Sequence, residues 1–272
     1  MKRYRILGWD FDTRITNLTQ LEDFNKKNPS QERQIKIDQI KNGFAIYYGP
    51  RRFEYKLQNL KDIGPKQFSI VAYHNILLDQ TRNSFIHENY YPALTGACAL
   101  GERILNHLVL DLREYYMETD DYEIVKDQKS FSNWNTMIKA LNNWGILLPN
   151  TFKEFNKLKT IRHKSLHFNQ KLTNDLRKNA FEAVNTIQKI LFEQFSGFGS
   201  QPWFITSIPG EVYLKGEWES HPFIAKFYVP NSLLVGHKHK IKNLSPLEID
   251  DNYDYPDTTI TDNEFSKFRN GV

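Results

Sequence analysis

Cysteine is almost absent from this chain of 272 residues. The single Cys98 excludes an intramolecular disulfide and a thiolate metal cluster. No run of eighteen or more apolar residues occurs, which excludes an ordinary membrane-spanning helix. The start, MKRYRILGWDFDTR, lacks the apolar core of a signal peptide, so a soluble cytoplasmic protein is expected. A glycine-rich phosphate loop is also missing: Gly197-Phe198-Gly199 follows a helical pattern instead of preceding one. Metal-ligand patterns are thin. Asp10 and Asp12 have no third carboxylate nearby and read as an Asp-rich turn, and His237-Lys238-His239 lacks cysteine partners and reads as a basic surface tip. No metal and no cofactor is expected.

Positive charge is missing from one long stretch. Between Leu244 and Glu264 there are seven acidic residues and no Lys or Arg, so the net charge of +4 leaves +11 on the remainder. Hydrophobic content of 40% with 14% aromatics is ample for a packed core. The basic excess gathers around residues 153–178, where Lys153, Lys157, Lys159, Arg162, Lys164, Lys171, Arg177 and Lys178 face only Glu154 and Asp175. Such a local field suits a polyanion.

Apolar spacing predicts a mainly α protein with a small C-terminal β appendage and an acidic, irregular tail. Residues 1–65 mix a short strand near Tyr4–Trp9 with helices over Asn17–Asn28 and Gln31–Tyr48. Residues 66–198 read as a helical bundle. Its expected helices are Lys66 to about Tyr90, Ala93–Tyr116, a short one around Trp134–Trp144, one opened by the capping-box pattern Thr151-Phe152-Lys153-Glu154, and one over Leu176–Phe195. The Ala93 helix also carries a small-residue face (Ala97, Ala99, Gly101) that permits close approach of another helix. Residues 199–243 show short β-like runs at Pro202–Ile208, Glu211–Leu214, Phe223–Val229 and Leu233–Val235, and residues 244–272 form the tail.

One stretch carries chemistry. In Ile161-Arg162-His163-Lys164-Ser165-Leu166-His167, Arg162 and His167 stand five apart at the end of a helix. A guanidinium can hold a phosphate and take up developing negative charge, and an imidazole can move a proton to or from a ribose hydroxyl. A second match exists at Arg82-Asn83-Ser84-Phe85-Ile86-His87. The helical setting favours Arg162 and His167.

This pattern resembles the Arg-x(4–6)-His signature of HEPN-domain ribonucleases, with His163 in the place of the polar residue that follows the arginine. The similarity covers roughly Tyr91 to Phe195. The Gly96–Arg103 helix segment is also similar to uncharacterised bacterial HEPN-like proteins. The resemblance implies a HEPN-like helical bundle, commonly a homodimer with a composite active site. It implies metal-independent RNA cleavage (tRNA or mRNA) by 2′-hydroxyl attack, in toxins or antiphage effectors with an antitoxin or sensor partner. Some members are non-catalytic scaffolds. On this reading Arg162, His163 and His167 are catalytic, Lys159, Lys164 and Lys171 bind RNA, and Glu102 or Asn106 supports the motif. Arg82 and His87 form the rival pair. The acidic tail is a candidate inhibitor of the basic site.

Overall fold

A computed structural model of the chain describes residues 1–129, 133–166, 175–197, 201–256 and 258–271, without the side chains of 165 and 166. In chain order its elements are β1 (Lys2–Ile6), β2 (Trp9–Asp12), α1 (Arg14–Lys27), α2 (Gln31–Tyr48), α3 (Phe53–Ile63), β3 (Lys66–Ile70), α4 (His74–Ile86), α5 (Tyr90–Leu112), α6 (Asp120–Val125), α7 (Trp134–Asn143), α8 (Pro149–Leu166), α9 (Leu176–Phe195), β4 (Phe204–Ile205), β5 (Tyr213–Leu214), β6 (Ser232–Gly236), β7 (Lys240–Leu244), β8 (Leu247–Asp250) and α10 (Asp262–Asn270). The chain is mainly helical with small sheets. Among the described residues no helix is long and apolar enough to cross a membrane.

Two compact units divide the chain. The larger holds residues 10–68 and 73–194. Its axis is α5, where Leu94, Ala97, Cys98, Gly101, Leu105, Leu108 and Leu112 recur every three or four residues and are buried. Helices α4, α7 and α8 pack against it. Gly101 permits the close approach of α8, because a Cβ there would stand 2.5 Å from Leu158 Cδ2 and 3.1 Å from the Trp134 ring.

The smaller unit holds residues 1–9, 69–72 and 195–272. An antiparallel sheet of order β4-β5-β1-β6 pairs Arg3 with Val235 and Tyr4 with Leu234. Tyr213, Val235, Ile260 and Phe265 form its core, the Tyr213 and Phe265 rings meeting edge to face at 5.1 Å.

Several expectations change. Lys66–Tyr90 is not one helix: Lys66–Ile70 is a strand paired with β2, and the helix starts at His74. The strand is held by the Lys66 ammonium, which reaches Asp10 at 2.5 Å and Asp79 at 2.7 Å, and by Phe68 stacked on Phe11. Asp10 and Asp12 accordingly lie on a strand and not on a turn. Phe223–Val229 is not β: a π-helical turn spans Ile224–Tyr228, buries Phe223, Phe227 and Tyr228, and places the Tyr228 hydroxyl 3.0 Å from the Ser196 carbonyl. Thr151 does not cap its helix, which begins at Pro149, a residue preset for a first helical position. The polar segment after Tyr116 contains α6, and α3 forms where no helix was expected.

Nor is the tail irregular throughout. It carries β8 and α10, the latter opened by a reciprocal capping box between Thr261 and Glu264. Three of its acids are engaged within their own unit: Asp250 with Lys242, Asp251 with Lys2 and Asp262 with Arg3. His239 is buried, not a surface tip, with Nε2 at 2.6 Å from Arg5 Nη1 and Nδ1 at 2.7 Å from the Gly236 carbonyl.

Candidate functional site at the end of α8

Three helices of the larger unit, α5, α7 and α8, meet at Arg162. Asn133 precedes α7 and its side-chain oxygen accepts the Asn135 N–H at 2.8 Å, fixing where that helix starts. This puts Trp134 beside α5, where its indole N–H donates to Glu102 Oε2 at 3.1 Å. The same oxygen forms an ion pair with Arg162, 3.1 Å from its Nε, and the guanidinium lies 5.8 Å from the Trp134 ring centre. Glu102 therefore ties α5, α7 and α8 at one point. Lys159, one turn before the motif, donates to Asn135 Oδ1 at 2.7 Å and to Asn156 Oδ1 at 2.9 Å.

Above this junction opens a cleft of about 680 Å³ lined by Asn133, Trp134, Asn135, Lys159, Arg162 and Lys164, with Thr160 and His163 completing it. Its volume falls within the range of small-molecule and nucleotide-sized sites. The charge balance around it is positive: Lys159, Arg162 and Lys164 line it, and the carboxylate tied to Arg162 is Glu102 behind them. Cys98, one turn before Glu102 on α5, is buried, and burial pushes its thiol up to about 12 despite the charge of Arg162, so it stays a neutral packing group.

Arg162, His163, Lys159 and Lys164 thus share one cleft, and Glu102 reaches it through Arg162. The Asn106 side-chain Oδ1 instead accepts from Gln128 Nε2 at 3.2 Å. His167 and Lys171 lie outside the described residues. The rival pair is arranged differently. Arg82 is buried and donates to the Gly64 carbonyl at 2.8 Å. His87 ends α4 with its ring edge against Tyr48 at 6.0 Å, and burial followed by the charge of Lys56 lowers its pKa. Arg82 lines a different cleft, with Asp12, Arg14 and Tyr48.

Asn133, Trp134 and Asn135 were not singled out from sequence. The signal available was an asparagine at a helix start, which marks a cap and says nothing about what the next turn faces. Among the described residues no group of three or more His, Cys, Asp or Glu is placed to hold a metal ion. No family model, no curated protein and no solved structure matches this chain.

Proposed function

We propose that this protein is an endoribonuclease of HEPN type that cleaves single-stranded segments of tRNA or mRNA without a metal. The reading is supported above all by the cleft that gathers Arg162, Lys159 and Lys164 at the end of α8. Arg162 holds the scissile phosphate and takes up charge in the transition state; the Glu102 contact at Nε orients its plane. His167 acts as general acid/base on the 2′-hydroxyl, and His163 assists from the cleft wall. Attack by the 2′-oxygen on phosphorus breaks the bond to the 5′-oxygen, which takes up a proton and leaves as a 5′-hydroxyl; a cyclic phosphate remains, so DNA resists. In this proposal two copies of the chain pair to build a composite site, and the activity serves a toxin or defence role controlled by an antitoxin or sensor.

The test is incubation of wild type, Arg162→Ala, His167→Ala and His87→Ala with total cellular RNA in EDTA, resolved on a gel. Cleavage by wild type and His87→Ala that disappears in the other two is the expected result. Cleavage retained by His167→Ala overturns the assignment. A second reading is a non-catalytic RNA-binding scaffold, favoured by the carboxylate partner that Arg162 already has. It predicts RNA binding by all forms and cleavage by none.

A further inference from the structure

A second cleft of the larger unit, of about 410 Å³, is built by β2, the start of α1, the end of α2, β3 and α4. Three cations and three carboxylates meet there, and they are not paired one to one. Lys66, 4% exposed, is shared by Asp10 and Asp79, and Arg14 is paired with Asp12 through Nη2 at 2.7 Å. Arg82 is 5% exposed and donates to carbonyl oxygens, those of Gly64 at 2.8 Å and Pro65 at 3.5 Å; among the described residues it forms no ion pair. This guanidinium is hydrogen-bonded only to neutral acceptors, with Asp12 and Asp79 attracting it through space, and it keeps donor capacity for an anion. The Tyr48 hydroxyl beside it is pushed up to about 12, by burial first and then by Asp12, so it remains a proton donor.

The rim of the same cleft is aromatic. Phe11 stacks on Phe68 with ring centroids 3.9 Å apart and planes 18° from parallel, which fixes the ring while 47% of Phe11 stays exposed. Tyr47, 62% exposed, stands across the opening beneath the Arg14 guanidinium at 4.9 Å. A rigid exposed ring is a platform for a planar base. Asp12 and Asn83 line the same cleft, an acceptor and an amide suited to ribose hydroxyls or to a base edge.

We propose that this cleft binds a nucleoside monophosphate, with the base on Phe11 and the phosphate on Arg82. The surplus carboxylate around Lys66 limits the charge accepted: Arg82 offsets one charge of a single phosphate, whereas a triphosphate would extend towards Asp10 and Asp79 and be repelled. The site is separate from the Arg162 cleft and does not depend on ribonuclease activity.

The experiment is calorimetric titration of the full chain with AMP, GMP, CMP and UMP, followed by the nucleoside and the triphosphate of whichever binds. At least one monophosphate is expected to bind saturably with a Kd below about 1 mM. Its nucleoside and triphosphate should bind at least about tenfold more weakly, and Phe11→Ala should weaken the monophosphate about tenfold or more. Arg82→Gln should abolish binding; because Arg82 is buried, circular dichroism checks that this variant folds, and Phe11→Ala decides if it does not. Arg162→Ala should bind as wild type does. Absence of saturable binding by all four monophosphates overturns the proposal, and so does unchanged affinity in Phe11→Ala.

Discussion

Glu102 and Arg162 meet through a single carboxylate oxygen that also accepts the Trp134 indole N–H, each at 3.1 Å. One carboxylate oxygen therefore ties both α7 and the guanidinium to α5. Glu102→Ala removes the constraint on Arg162 and leaves the Trp134 donor without this acceptor. Cleavage of an RNA substrate should fall by about a hundredfold, the usual cost of misplacing a group by an ångström. The fall should appear in kcat more than in KM, and Glu102→Gln, which keeps an acceptor oxygen, should recover part of it. Initial rates across substrate concentration check this.

Lys164 lines the cleft and is exposed, so it can contribute to a polyanion mainly through charge. Lys164→Ala should weaken RNA binding at low salt and reduce the slope of log affinity against log salt by about 0.7, the value per phosphate contact on a single strand. Filter binding over a salt series measures the slope. Sequence preference should be unaltered, because a phosphate contact carries no base information.

The helical part of the molecule was readable because its information is periodic. Leu94, Ala97, Gly101, Leu105 and Leu108 declare a buried stripe whatever they pack against, and the structure buries all five. The strand at Lys66–Ile70 was not readable, because its leading residue is a lysine and its reason is a charge match to Asp10 and Asp79, one of them 56 residues away in the chain. The Phe223–Val229 run failed for the opposite reason. Its aromatics fit a strand locally, and only their burial around Tyr228 makes a π-helical turn. Of the candidate cleft, the cations on α8 were visible as a run, whereas Trp134 and the asparagines beside it depend on how α7 docks on α5.

Two glycines separate packing from backbone entropy. A methyl at Gly101 meets Leu158 Cδ2 at 2.5 Å and Trp134 at 3.1 Å, so Gly101→Ala makes the buried Leu158 side chain shift and overpacks the seam between α5 and α8. It should cost about 1–3 kcal/mol, the range for overpacked cores. Gly43 lies inside α2 with nothing within 4 Å of its would-be Cβ, and Gly43→Ala should stabilise by about 0.5–1 kcal/mol. Urea unfolding of both variants reads the opposite signs.

Acid should weaken the smaller unit in two stages. Burial lowers the His239 pKa, with the charges of Arg269 and Arg5 adding to it against the opposing Gly236 hydrogen bond. A depressed histidine stabilises fully above its ordinary value near 6.5, and this contribution is lost as pH falls through its folded value. Burial alone would raise Glu211, but hydrogen bonds from Arg269 and Tyr213 and the charge of Arg5 hold it at about 2. Its contribution is present above its ordinary value of 4.5 and lost towards 2. Urea midpoints at about pH 8, 5.5 and 3.5 should fall stepwise in wild type. Glu211→Gln should flatten the lower step and His239→Gln the upper one.

Cys98 offers a probe of the helix junction beneath the Arg162 cleft. Its thiol is fully buried on α5, one turn from Glu102, and burial pushes it up to about 12. While it stays buried the thiol is held neutral at pH 8, and only thiolate reacts. A disulfide reagent should therefore leave native protein unmodified over hours and titrate one thiol per chain in denaturant. Modification of the native form then reports the opening of α5 from its neighbours. Gly101→Ala, which crowds Leu158 of α8 three residues further along the same helix, should accelerate it, whereas Gly43→Ala on α2 should not. Equal rates in the two variants would mean that Cys98 is exposed by some motion other than separation of α5 from α8.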